Sequence, residues 1–167
     1  AWGNNSSGQT NVPANLTNAI AIAAGLAHSL ALRNDGTVIG WGSNTAGQTN
    51  PPPGLDRVMA VSAGGNYCLA QRDDWTVTGW GDNTFGQASI PDFGFPWYVI
   101  SAGSNHSLTI DDFGGVYGWG DNSQGQTDIP LSLGYAQQVA AGGSHSLALD
   151  WDGYVTAWGN NLSGQTS

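Results

Sequence analysis

Three histidine–serine pairs are the first candidates for chemistry in this chain. His28, His106 and His145 are each followed directly by a serine, and a histidine can activate a serine hydroxyl as a nucleophile. Neighbouring residues of a strand point to opposite faces, so an adjacent pair does not easily share a proton. The pairs also recur at one phase of a repeat, whereas catalysis needs such a group once. We therefore interpret the histidines as structural groups that bond backbone atoms between repeat units, and we predict no catalytic residue.

Aspartates are the second candidates, as ligands of a metal ion. They cluster at positions 73–74, 111–112 and 150–152. Calcium binds six to eight oxygens, and no stretch matches the calcium-loop pattern with its distal glutamate. The glycine-containing loops also lack the lysine and the following helix of a phosphate site. We predict that the aspartates form turns and that the protein binds neither a metal nor a cofactor.

The composition excludes several classes of partner. Every acid is an aspartate, lysine is absent, and three arginines leave a net charge of −9. A chain with this negative charge is repelled by a nucleic-acid backbone and by an anionic membrane surface. No apolar run in the sequence approaches the ~20 residues that a membrane-spanning helix needs. The polar, lysine-free composition favours an extracellular or periplasmic protein. The single Cys68 cannot form an internal disulfide.

The sequence repeats itself every 39 residues. The phrase W-G-x-N-x-x-G-Q recurs, and a second phrase, A-G-x-x-H-S-L, precedes it. In the second unit Tyr67-Cys68 replaces the histidine and the serine. We interpret the repeated tryptophans as packing elements between units and the glutamines as groups that hold loop backbone. These structural residues are Trp2, Trp41, Trp80, Trp119 and Trp158, with Gln48, Gln87 and Gln126.

Each repeat predicts a small antiparallel sheet. In the first, residues 19–24 form an apolar run, residues 28–32 alternate, and a turn signal at 34–36 precedes a return strand at 37–41. Three or four short strands cannot bury their own apolar face, so the units must stack as in a β-propeller or a β-solenoid. The prediction is one all-β repeat domain of about 4.3 repeats, with units at 18–56, 57–95, 96–134 and 135–167 and a partial unit at 1–17.

The phrases W-G-x-N-x-x-G-Q-T-x-x-P and A-G-x-x-H-S-L resemble the repeats of the regulator of chromosome condensation family. They are most similar to the short repeats of bacterial members, among them a propeller-fold β-lactamase inhibitory protein. The resemblance covers the whole chain. It implies a β-propeller with one blade per repeat and binding through loops on one face, and it implies no particular partner.

The two ends of the chain read almost alike. Residues 1–10 are A-W-G-N-N-S-S-G-Q-T, and residues 157–166 are A-W-G-N-N-L-S-G-Q-T. Three arrangements follow: a fragment of a larger propeller, a ring completed by a second chain, or an open array that stacks end to end. Unpaired sheet edges template association, and a head-to-tail contact that does not close forms a fibre. On this reasoning, deleting residues 1–10 is expected to abolish a polymer.

Large aromatic residues break the repeat at the hairpin tips. Trp75, Phe113 and Trp151 stand where a turn usually has glycine or a polar residue, and stacked units would place them on one edge. They form a candidate contact stripe for a protein or a sugar, with folding back onto their own units as the alternative. A second aromatic group links units two and three as a core patch or an assembly contact. It consists of Phe85, Phe93, Phe95 and Trp97.

The sequence thus predicts a non-enzymatic module that binds a protein partner or copies of itself through loops on a propeller scaffold. One alternative is a self-assembling extracellular structural protein that polymerises through open blade edges. Others are a carbohydrate-binding module and an enzyme inhibitor. Neither nucleic acid nor membrane insertion is expected.

Overall fold

Twelve short β-strands make up the regular structure of the protein. The computed structural model describes residues 1–94 and 96–167, and every regular element within those ranges is a strand. None of the described residues belongs to a helix of the length and apolarity that a membrane crossing requires. The strands are β1 (Ala19–Ala24), β2 (His28–Arg33), β3 (Val38–Gly42), β4 (Val58–Ala63), β5 (Tyr67–Arg72), β6 (Val77–Gly81), β7 (Trp97–Ala102), β8 (His106–Asp111), β9 (Val116–Gly120), β10 (Ala136–Ala141), β11 (His145–Asp150) and β12 (Val155–Gly159).

The strands form four three-stranded antiparallel sheets, one for each repeat. We call them blades 1 to 4: β1–β3, β4–β6, β7–β9 and β10–β12. Strands follow one another in sequence order within each blade, as short hairpin connections require. A one-residue register shift interrupts the first strand of every blade at the same place, between Ala19 and Ala21 in blade 1. The all-β prediction is confirmed, with three strands in each blade.

Apolar cores lie between the blades. Leu30 and Leu32 of blade 1 pack against Cys68, Ala70 and Trp80 of blade 2. Equivalent cores join blades 2 and 3, and blades 3 and 4. Because each sheet has only three strands, it buries its apolar surface by stacking on its neighbours, as the repeat length predicts.

Glycine permits the blades to approach closely where their first strands end. A Cβ atom on Gly64 would lie 2.4 Å from the carbonyl oxygen of Gly103 in the next blade. Backbone hydrogen bonds join neighbouring blades at this level, from Leu26 N to Gly65 O at 3.2 Å and from Ser104 N to Gly142 O at 3.0 Å. The repeated Ala-Gly step therefore allows a belt of backbone contacts that a side chain would push apart.

The stack of blades is open at both ends. The outer faces of blades 1 and 4 lack the neighbouring blade that covers the corresponding faces in the interior. Trp2, expected to pack between units, is 94% exposed, whereas Trp80, Trp119 and Trp158 are 7–8% exposed. Trp2 therefore does not pack between two units among the described residues, which corrects the expectation for this tryptophan.

Candidate functional site

The first blade interface contains a relay of hydrogen bonds. The carbonyl oxygen of Gln48 accepts bonds from Trp80 Nε1 at 2.9 Å and from the Cys68 thiol at 3.2 Å. The Sγ atom of Cys68 lies 3.2 Å from His28 Nε2 of the preceding blade. Burial raises the pKa of the Cys68 thiol to about 12 and lowers the pKa of His28, so both groups are neutral at physiological pH. The pair supports packing and lacks a reactive thiolate.

The second interface repeats this relay with other residue types. The hydroxyl of Ser107 donates to the carbonyl of Gln87 at 2.9 Å, and Trp119 Nε1 donates to the same oxygen at 3.0 Å. Tyr67 takes the place of the histidine, with its hydroxyl 2.7 Å from Ser107 Oγ. One glutamine carbonyl thus accepts two donors from the following blade, which uses both of its lone pairs.

A histidine and a serine do meet at the third interface, although they are not neighbours in sequence. His106 Nε2 lies 2.9 Å from the hydroxyl oxygen of Ser146, which belongs to the next blade. Ser146 donates its proton to the carbonyl of Gln126 at 2.7 Å, so the nitrogen must donate to the serine and cannot remove its proton. Both side chains are fully buried, and burial lowers the pKa of His106 to about 4. The arrangement therefore excludes this pair as a nucleophile and base.

The expected role of the histidines needs one correction. His28 and His106 lie at blade interfaces, but their ring nitrogens contact side chains of the next blade, not backbone atoms. His145 lies on the outer face of blade 4 and is only partly buried. Each histidine faces the next blade, whereas the residue that follows it in the strand points to the opposite face and meets the preceding blade. The histidine of one blade therefore meets the serine or cysteine side chain of the next.

The buried glutamines hold the loops that follow each blade. Their side-chain oxygens accept the backbone N–H two residues earlier, at 2.8 Å in all three interior loops. Gln87 and Gln126 also donate to an aspartate at the start of the loop, Asp82 and Asp121. These bonds fix the glutamine carbonyl against the next blade, which is what positions the relay. These loop glutamines are Gln48, Gln87 and Gln126, and the side chain of each is fully buried.

Two of the non-repeating aromatic residues lie at the opposite ends of the blades, around one cleft. Phe113 and Trp151 occupy the hairpin tips of blades 3 and 4 and are 76% and 71% exposed. Together with Tyr98 and Gln137 they line a shallow cleft of about 180 Å³, which we call the tip cleft. Each tip is held by the aspartate that ends the preceding strand, as where Asp111 accepts the N–H of Phe113 at 2.8 Å. The turn is thus rigid while its aromatic side chain remains exposed.

Trp75 does not line the tip cleft itself but contacts Tyr98, which does. Its ring stacks on Tyr98 of the next blade, with the centroids 4.4 Å apart. Its backbone has φ = +67°, at a tip position where blades 3 and 4 have Gly114 and Gly153. A bulky residue in this region is strained, and such strain concentrates at functional sites.

The second aromatic group separates into different environments. Trp97 is buried, contacts Trp119 edge to face at 5.1 Å and stacks with Phe93 at 5.3 Å. Both Trp97 and Phe93 therefore belong to the core between blades 2 and 3 and not to the candidate binding surface. Phe85 is half exposed in the loop after β6, at the other end of its blade from Trp75. Phe95 lies outside the described residues.

Charge is divided unevenly along the tip edge. Arg57 in blade 2 pairs with Asp73 and Asp74 at 3.1 Å each. All three arginines precede residue 73, so blades 3 and 4 contain acids and no basic residue other than histidine. Asp112 and Asp152 are exposed beside the aromatic tips of these blades. The tip cleft is therefore apolar at its base and acidic at its rim.

Asp35 and Asp74 form the hairpin turns of blades 1 and 2. Asp35 accepts both the N–H and the hydroxyl of Thr37, at 3.0 and 2.7 Å, and Asp74 bonds Thr76 in the same way. These bonds lower the pKa values of both carboxyls. Among the described residues, no three histidine, cysteine or acidic side chains are grouped so that they could hold a metal ion.

Sequence reasoning missed Tyr98 and Gln137 as cleft residues. Tyr98 directly follows Trp97, and because neighbouring residues of a strand point to opposite faces, it is exposed where Trp97 is buried. That alternation was the available signal. Gln137 donates to the carbonyl of Asp150 at 2.8 Å, a contact between strands that no motif indicates.

The fold and the repeated interfaces define a β-propeller-type repeat protein with an open arc of four blades. A sequence model of the regulator of chromosome condensation (RCC1) repeat matches residues 19–48, 99–126 and 136–165, which is more than half of the chain. The chain therefore belongs to the regulator of chromosome condensation repeat family. Blade 2, where Tyr67 and Cys68 stand, lies outside the matched residues. Comparison with curated proteins gives no match.

Solved structures share the fold at low sequence identity. Prp20p from Saccharomyces cerevisiae, described with its binding to Gsp1p and histones, is 22% identical with a TM-score of 0.78, over 87% of this chain and 47% of that one. The ectodomain of the receptor kinase CR4 from Physcomitrella patens is 24% identical with a TM-score of 0.81, over 98% and 47%. The CRINKLY WD40 ectodomain of the Arabidopsis thaliana receptor kinase ACR4 is 24% identical with a TM-score of 0.79, over 95% and 62%. The chain spans less than two thirds of each of these structures.

Proposed function

We propose that the protein is a non-enzymatic protein-binding module and that the tip cleft is its binding site. The observation that carries the proposal is that Phe113 and Trp151 are both exposed, on turns held by hydrogen bonds, and line the same cleft. Elsewhere in the chain the repeated tryptophans of the blade interfaces are buried. Large aromatic side chains held rigidly at a surface are typical anchors of protein interfaces.

The chemistry of the rim indicates a basic polypeptide as the partner. Asp112 and Asp152 flank the aromatic rings, and blades 3 and 4 carry no arginine or lysine to neutralise them. An arginine side chain fits this arrangement, because its guanidinium stacks on an aromatic face while it pairs with a carboxylate. The cleft is open to solvent and has a volume of about 180 Å³, so an arginine side chain can enter it.

Selection from a random peptide library on the immobilised protein tests the proposal. We expect enriched peptides to contain arginine next to apolar residues and to bind more weakly at high salt. The double variant Phe113→Ala, Trp151→Ala should bind them at least about tenfold more weakly. Leu131→Ala is the control, since Leu131 is fully exposed and lies outside the tip cleft. Undiminished binding by the double variant would refute the proposal.

A glycan array probed with the same variants tests the main alternative. Exposed aromatic rings also stack on sugar rings, and acidic side chains can accept hydrogen bonds from sugar hydroxyls. Sugar binding that is lost in the double variant, with no peptide enrichment, would favour a carbohydrate-binding module. If instead the selected partner is an enzyme that the protein blocks, the binding module acts as an inhibitor.

A further inference from the structure

The two outer faces of the arc carry the two halves of an interior blade interface. On blade 4, His145, Leu147 and Leu149 occupy the positions that His28, Leu30 and Leu32 occupy in blade 1. The interior set is buried against the following blade. Val155 on the outer face is 65% exposed, whereas its interior counterpart Val38 is 8% exposed. Blade 4 thus presents the apolar surface that normally covers the next blade.

Blade 1 presents the complementary half. Ile22 stands where Val61 packs into the first interior core, but it is 80% exposed. Ser29 and Trp41 stand where Cys68 and Trp80 receive the preceding blade. Stacking blade 4 of one copy on blade 1 of another would bring His145 to Ser29, as His106 meets Ser146 within the chain.

The N-terminal residues already occupy part of this interface. The carbonyl of Gln9 accepts the hydroxyl of Ser29 at 3.0 Å and Trp41 Nε1 at 2.9 Å. It thereby does for blade 1 what the carbonyl of Gln48 does for blade 2. In the interior this glutamine belongs to the loop of the preceding blade. A docked second copy would bring its own equivalent, Gln165, to the same place.

The two competing segments are nearly identical in sequence but differ in how they are held. Residues 1–10 and 157–166 differ only at Ser6 and Leu162. The N-terminal copy is mostly exposed, with Trp2 in solvent, whereas the C-terminal copy begins within β12, where Trp158 is buried. The N-terminal copy is therefore the one that can leave.

We propose that copies of this chain associate head to tail, blade 4 of one on blade 1 of the next, with residues 160–166 of the incoming copy displacing residues 4–10. The contact is a face-to-face packing of sheets, as at the three interior interfaces, and not the pairing of strand edges expected from the sequence. Its two halves are different surfaces, so the association is heterologous. It does not involve the tip cleft, and the variant Phe113→Ala, Trp151→Ala should leave it unchanged.

Complementation between two variants tests the contact. Ile22→Asp blocks the blade 1 face and Val155→Asp blocks the blade 4 face; both side chains are exposed, so the fold is retained. In sedimentation from about 1 µM to about 1 mM, we expect wild-type protein and the control Leu131→Asp to associate, and each single variant to stay monomeric. An equimolar mixture of the two variants should form a 1:1 dimer through the remaining intact pair of faces. A monomeric wild-type protein, or a mixture that does not associate, would overturn the proposal.

A matched pair of substitutions in the full chain tests the displacement. Asn5 Oδ1 accepts the N–H of Thr10 at 3.0 Å, and Asn161 Oδ1 accepts the N–H of Thr166 at 3.0 Å. Asn5→Ala loosens the segment that leaves, so association should tighten about threefold to tenfold, while Asn161→Ala should weaken it by a similar factor. Deleting residues 1–10 should likewise strengthen association, the reverse of the expectation from sequence alone. Shifts of the same sign for Asn5→Ala and Asn161→Ala would refute the displacement.

Discussion

At the three interior blade interfaces the tryptophan and the glutamine recur and are buried, whereas at the hairpin tips the residues differ from blade to blade and are largely exposed. Trp119 and Phe113 illustrate the contrast within one blade: the first donates to Gln87 and packs on Trp97, and the second is 76% exposed at the rim of a cleft. A residue that must fit a neighbouring blade has the same task in each repeat. A tip residue such as Phe113 is largely exposed and can serve a partner.

The largest expected effect comes from removing an interface tryptophan. Trp119→Ala leaves a cavity between blades 2 and 3 and one unused acceptor on Gln87, so the free energy of unfolding should fall by about 3 to 5 kcal/mol. Trp2→Ala is the matched control, because Trp2 has the same place in the repeat but is exposed. Chemical denaturation of both variants measures the difference. An equal loss of unfolding free energy in the two variants would show that the tryptophan contributes no more at an interior interface than at the exposed end.

The next effect concerns the close approach of blades at the ends of their first strands. Gly64→Ala would place a methyl group 2.4 Å from the carbonyl of Gly103 and 2.2 Å from the Tyr67 ring, so we expect a loss of about 1 to 3 kcal/mol. Gly134→Ala is the control, since its Cβ would meet nothing within 4 Å. Thermal unfolding of both variants provides the comparison. A stable Gly64→Ala protein would show that the blades can separate without cost.

Acid should weaken the interfaces through the buried histidines. The pKa of His106 is lowered from 6.5 to about 4, so well above pH 6.5 the ring is neutral in both the folded and the unfolded state and acid costs the fold nothing there. As the pH falls from about 6.5 to about 4, the unfolded chain binds a proton that the folded chain does not, and the free energy of unfolding decreases by at most about 1.4 kcal/mol per pH unit. Denaturation at several pH values measures the slope. His106→Gln should unfold more easily at pH 7 with a shallower slope; an unchanged slope would contradict this origin.

The smallest expected effect on stability is at the tips. Phe113→Ala with Trp151→Ala removes two exposed side chains from turns held by their own aspartates, so the free energy of unfolding should change by less than about 0.5 kcal/mol per site. The same double variant is the one expected to lose peptide binding. A large loss of stability would show that the two rings pack against the fold, as Trp119 does, and are not free to bind a partner.

The local sequence determined much of the architecture. The 39-residue period, the strand at 19–24 and the turn signal at Asp35 predict a unit of three or four strands that must stack, and the structure has a three-stranded unit four times. Strand alternation and turn formation depend on residues a few positions apart, so both can be predicted from the sequence.

Which residues make up the blade interfaces and which line the tip cleft depended on how the blades stack. His106 meets Ser146, and Trp75 meets Tyr98, across blade boundaries; Trp97 is buried by the same stacking that leaves Tyr98 at the tip cleft. Such contacts join residues more than 20 positions apart in chain order. Sequence by itself determined which residues repeat and which do not. Only the tertiary structure decided which of them are covered, because coverage depends on how closely and at what angle one blade packs on the next.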